Sequence, residues 1–137
     1  MKKLNRIYPV VIMAVLLYFV FFIINKSALP QIVTNKSSFS SFYVQNDKVY
    51  INCSITIKNN NDEPRDFSLC ALMNADFKSG LLKQAKIYAY NNGKKAVFNI
   101  KSNKEQTYNV VFIGDYGGNL QKNNSSLPQI EIITEKN

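Results

Sequence analysis

The chain has 137 residues, with 17 Lys plus Arg against nine Asp plus Glu, two cysteines and no histidine. The absence of histidine removes imidazole bases, the common zinc sites and every Ser-His or Cys-His pair, so the hydrolase classes built on them are excluded. From residue 31 onward thirteen Lys plus Arg face nine Asp plus Glu, a net +4. That excess is compatible with a polyanionic cell envelope or an anionic membrane surface, yet too small to demand either.

Residues 1–6 carry Lys2, Lys3 and Arg6 and read as a cytoplasmic tail. Residues 7–24, IYPVVIMAVLLYFVFFII, form a run of eighteen without a charge. At about 1.5 Å of helical rise per residue such a run reaches nearly across a hydrocarbon core of about 30 Å, which predicts one N-terminal transmembrane helix. Pro9 falls in the first turn, where a missing N–H costs little. The basic residues before the run outnumber Lys26 and Lys36 after it. The positive-inside bias therefore sets the N-terminus in the cytoplasm and the C-terminal part outside, in a single pass through the cell membrane. A cleaved signal peptide is the alternative, disfavoured by the length of the run and by NKSALPQ, which offers no small-x-small site.

Residues 25–37 are mostly polar and contain Pro30, the composition of a linker. Residues 38–137 then suffice for one core and leave no room for a second domain. The pattern there is period two. Residues 38–45 read as a strand joined through Asn46 and Asp47 to residues 48–58, KVYINCSITIK, which send Val49, Ile51, Cys53, Ile55 and Ile57 to one face. Further strands are predicted at residues 67–73, 85–90, 94–101, 106–113 and 129–134, separated by Asn-, Gly- and Lys-rich turns, with a single helical turn at Gly80, Leu81 and Leu82. Phe98, Ile100, Tyr108, Val110, Phe112, Ile130 and Ile132 complete the expected core. The fold class expected is therefore all-β: an antiparallel seven-stranded immunoglobulin-like or fibronectin-like sandwich behind one N-terminal transmembrane helix.

Two segments, VYINCSITIKNNNDEP and AVFNIKSNKEQTYNVVFIG, resemble the core strand with its following turn and the paired late strands of small immunoglobulin-like sandwich proteins. Bacteria of low genomic G+C, of Firmicutes type, display such proteins from a single membrane anchor. The resemblance covers about residues 38–135 and implies a fold and a surface location. It transfers no site residue.

Few residues offer chemistry. Asp62, Glu63 and Asp66 share one turn that could hold Ca²⁺, but Arg65 sits among them and the ligand order of a dedicated loop is missing. The strand register argues for free thiols at Cys53 and Cys70, with Cys53 inward and opposite Ala71 if the two strands pair; if they belong to different sheets a bridge stays open. Neither thiol has an activating base nearby in sequence. No catalytic, cofactor-binding or metal-binding residue is assigned, and no enzyme activity or cofactor is expected. The long loop 114–128, GDYGGNLQKNNSSLP, is the first candidate for partner contact, through Asp115, Tyr116, Gly117 and Gly118, where an aromatic ring lies between glycines. A basic-aromatic stripe of Lys83, Lys86, Tyr88 and Tyr90 is the second. The function expected is a membrane-anchored extracytoplasmic binding module for a protein or cell-envelope partner, with a structural or accessory subunit of a membrane or envelope complex as the alternative. Nucleic acid is not an expected partner.

Overall fold

The computed structural model describes residues 7–26, 29–122 and 125–134, with side chains on the first helix described from Val10 to Val20. In chain order the elements are α1 (Ile7–Lys26), β1 (Gln31–Ile32), a 3-10 turn over Thr34–Lys36, β2 (Ser38–Gln45), β3 (Lys48–Lys58), β4 (Arg65–Leu72), α2 (Asn74–Lys78), β5 (Lys86–Asn91), β6 (Lys94–Lys95), β7 (Phe98–Ile100), β8 (Glu105–Asp115) and β9 (Gln129–Thr134). The helix α1 is 20 residues long, and its described side chains are all exposed apolar groups, as at Ile12, Leu16 and Phe19. Over the described residues, no helix is long and apolar enough to cross a membrane.

Local chemistry fixes the two tight hairpins. Asn46 and Asp47 both take positive φ, 49° and 57°, which matches the right-handed twist of the flanking strands and sets Gln45 opposite Lys48. Asn92 and Gly93 do the same between β5 and β6, at φ 49° and 75°. Asn, Asp and Gly are the residues that tolerate this conformation.

All pairings are antiparallel, and nine strands join in one curled sheet. β1 and β2 lie end to end along one edge of β3, and β8 lies along the other. β8 passes to β5 through Tyr88, Ala89 and Tyr90, while β5 passes to β4 through Lys86, Ile87 and Tyr88. β4 also pairs β7 along that edge and β9 along its opposite edge. The sheet curls until β1 and β9 approach each other.

One core fills the curl. The inward positions of β3 are all buried, and they meet Phe67, Leu69 and Ala71 of β4, Ile87 and Ala89 of β5, Ile100 of β7, and Val110 and Phe112 of β8. Phe67 lies 5.6 Å from Phe98 and meets Tyr108 edge-on at 5.8 Å between ring centres, so aromatic packing closes one end. Phe98, Tyr108, Ile130 and Ile132 pack against this core from partly buried positions. At the same end Asn59, fully buried, has its polar groups met: its amide nitrogen donates to the carbonyls of Glu63 and Lys101, and its oxygen accepts from Asn61.

Several boundaries differ from the sequence expectation. Among the described residues nine strands are present where seven were expected. Residues 94–101 are not one strand, because β6 pairs β5 while β7 pairs β4, and the chain changes partner at Ala96 and Val97. The segment expected to be linker already belongs to the sheet: Pro30 is buried, Gln31 and Ile32 pair with Lys58 and Ile57, and Ser37 accepts from the backbone N–H of Thr56. The helical turn falls at Asn74–Lys78, ahead of Gly80. β3 and β4 share no ladder, so Cys53 and Ala71 are not cross-strand partners; β4 is paired instead with β5, β7 and β9.

Candidate functional site

The outward face of the β2–β3–β8–β5 layer carries a lateral row of large rings and aliphatic side chains. The ladder registers place Tyr43 beside Tyr50, Tyr50 beside Ile113, and Ile113 beside Tyr88. Tyr43 and Tyr50 are stacked with ring centres 4.8 Å apart and planes 6° from parallel. Tyr43 is 45% exposed, and Tyr90, one pleat further along β5, is 36% exposed. Outward tyrosines on β2, β3 and β5, with Ile113 of β8 between them, thus make a surface of ring faces with hydroxyl tips, apolar in its body and hydrogen-bonding at its edge.

A groove of about 340 Å³ runs along the end of this face. Tyr50, Tyr90 and Ile113 form its apolar walls, while Lys48, Asp115 and Gln84 supply polar groups. Gly114 lies in its floor, and on the core side of the strand a Cβ there would stand 2.6 Å from side-chain carbons of both Ile87 and Leu82. Lys48 and Asp115 are bonded to each other across the β3–β8 ladder. That bond holds the Asp115 carboxyl below its ordinary range and raises the Lys48 ammonium above its own. On the far side Lys86 pairs with Glu131 at 2.9 Å, and Lys95 stands 4.9 Å over the Tyr88 ring. The charges around the tyrosines are therefore largely compensated in place.

The loop residues singled out in the sequence divide between this groove and the core. Asp115 lines the groove as just described. Tyr116 is partly buried against the core, its N–H donating to the Asp47 carbonyl and its backbone bridged to Leu82. Gly117 donates to Leu81, and a Cβ on it would come within 2.2 Å of the Gly80 carbonyl, so the glycine is required by a close crossing of two backbones. Gly118 takes φ 104° in open space. Gly117 thus serves a locked crossing, while the exposed tyrosines Tyr43 and Tyr90 are on the strands. Of the stripe, Lys86, Tyr88 and Tyr90 share the outward face, while Lys83 stays off the strand with its N–H donating to Asp115.

No family model, curated protein or solved structure matches the chain.

Both cysteines are free and buried. Burial pushes the Cys53 thiol up to about 11, and burial likewise raises Cys70, which lies outward on β4 between Tyr88 and Glu131. Neither is suited to nucleophilic work at neutral pH. The carboxylates of the acidic turn are engaged separately, Asp62 by the Asn103 amide at 3.0 Å and Asp66 by the Asn99 amide at 2.7 Å. Among the described residues no three His, Cys, Asp or Glu side chains gather as metal ligands.

Proposed function

We propose that the protein is a single-pass, membrane-anchored binding module of the immunoglobulin-like sandwich type, which holds a neutral carbohydrate chain on the tyrosine face of an extracytoplasmic domain. The aligned row Tyr43, Tyr50, Ile113 and Tyr88 carries this reading. Sugar rings present C–H faces that pack on aromatic faces and hydroxyls that suit Gln84 and the tyrosine tips. A polyanion is less well served, since Lys48 and Lys86 already face Asp115 and Glu131. The eighteen uncharged residues 7–24 support an anchor, and Lys2, Lys3 and Arg6 before them support the outward orientation.

The test is co-sedimentation of the full chain, held in lipid nanodiscs, with a panel of insoluble neutral polysaccharides such as chitin, cellulose and β-1,3-glucan. Retention by at least one of them, lost in Tyr50→Ala with Tyr90→Ala, is the expected result. No retention by any, together with copurification of membrane proteins from native membranes, would replace this reading by that of an accessory subunit.

A further inference from the structure

The short run of chain between α1 and the sheet decides which end of the domain can reach a membrane. α1 ends at Lys26 and β1 begins at Gln31, with Pro30 already buried in the domain. The step from Lys26 to Gln31 spans at most about 18 Å even when fully extended. Gln31 is paired with Lys58, so the chain enters the sheet at the end where β3 finishes and β8 starts. The tyrosine groove is at the other end, where Lys48 faces Asp115. β3 and β8 have 11 residues each, which sets the two ends roughly 33 Å apart along the strands. An inverted domain, groove against the membrane, would need about twice the reach that the tether has.

The tether end is also firmly built. Buried Asn59 ties two loops together there: its N–H donates to the Lys104 carbonyl, and its side-chain amide donates to the carbonyls of Glu63 and Lys101. Asn103, at φ 52°, turns the second loop and donates its N–H to the Asn61 carbonyl. Lys58, Lys101 and Lys104 are exposed on this frame, around the point where the tether enters, and Leu29 on the tether is 51% exposed. The acids at this end are Asp62, Glu63, Asp66 and Glu105, nearly equal in number to the bases. Three of them are turned to partners within the domain: Asp62 to the Asn103 amide, Asp66 to the Asn99 amide and Glu105 to Lys36. Lysines with apolar stems and cationic tips, next to an exposed leucine, suit the headgroup layer of a bilayer, where phosphates lie above the acyl boundary.

We propose that this end of the domain seats on the adjoining lipid leaflet, with Lys58, Lys101 and Lys104 on lipid phosphates and Leu29 at the acyl boundary, so that the tyrosine groove opens away from the membrane. The seating rests on the anchor reading of residues 7–24 and is independent of what the groove binds.

The experiment places the full chain in nanodiscs of phosphatidylcholine and phosphatidylglycerol, with a gadolinium chelate on a fraction of the headgroups. Paramagnetic broadening and solvent exchange are read at the backbone amides. Expected are slow exchange at Ile12 and Leu16, strong broadening at Asn61 and Lys104, and at least fivefold weaker broadening at Asp47 and Asp115. In Lys58→Gln with Lys101→Gln and Lys104→Gln, broadening at Asn61 should fall at least twofold while Ile12 and Leu16 stay protected. Equal broadening at both ends, or stronger broadening at Asp47, with Ile12 and Leu16 protected, would overturn the seating and leave the anchor standing. Broadening unchanged in the triple variant would overturn the phosphate contacts. Fast exchange at Ile12 and Leu16 would remove the anchor, and the seating with it.

Discussion

The two faces of β3 and β8 are written by the same strands and do opposite work. Inward, Val49, Ile51, Ile55, Ile57 and Phe112 are fully buried and hold the curl closed. Outward, one residue along in each case, Tyr50 and Ile113 line an open groove. A strand alternates its side chains with period two, so a stability face and a recognition face can be specified independently on one backbone. The corollary is that substitutions should separate cleanly: inner-face changes should move stability and outer-face changes should move binding.

The largest expected effect is on the inner face. Phe67→Ala removes a buried ring that packs on both Phe98 and Tyr108, and should cost about 3–5 kcal/mol in denaturant unfolding. Next comes alkaline pH. The Cys53 thiol titrates near 11 when folded, above its ordinary 9, so its contribution is complete below about pH 9 and is lost as pH rises toward 11. The loss should be roughly 2–3 kcal/mol, measured as the difference between wild type and Cys53→Ala unfolding across that range. Gly117→Ala forces a methyl against the Gly80 carbonyl and should cost about 1–3 kcal/mol, a larger penalty than any single outer-face change.

On the outer face the order reverses between the two readouts. Tyr50→Ala breaks one stacked pair and should lower stability by about 0.5–1.5 kcal/mol while weakening carbohydrate binding at least tenfold. Smallest is Lys48→Met. Its ion pair with Asp115 is solvent-exposed, so the melting temperature should stay within error. If Lys48→Met instead destabilises as much as Gly117→Ala, the distinction between the faces fails.

Much of this contrast could be read from the chain. Residues 38–45, 48–58 and 129–134 are predicted with the bounds that β2, β3 and β9 take, because the flanking turns are polar and, in 48–58, alternation is clean. The two-residue turn at Asn46 and Asp47 even implies that Tyr43 faces Tyr50, since the register follows from Gln45 lying opposite Lys48. What could not be read was which strands meet out of sequence. Ile113 and Tyr88 join the tyrosine row only because β8 inserts between β3 and β5, a choice made by long-range packing that leaves no local mark. The setting of Tyr116 was not legible for a related reason. Flanking glycines suggest a mobile loop, but here Gly117 is glycine because another backbone passes beside it. Lys122 and Asp76, 46 positions apart, likewise carry no sequence signal of their pairing; each looks like an ordinary surface charge.

The most direct test of the central claim is one comparison on the full chain in nanodiscs. Affinity for soluble fragments of a retained polysaccharide and melting temperature would be measured together for wild type, for Tyr50→Ala with Tyr90→Ala, and for Ile55→Val. The account predicts that the tyrosine double variant loses at least tenfold in affinity with only the modest fall in melting temperature that a lost stacked pair gives, while Ile55→Val lowers the melting temperature by a comparable amount and binds as wild type. Binding that survives removal of both tyrosines, or that falls only in step with melting temperature, would contradict it.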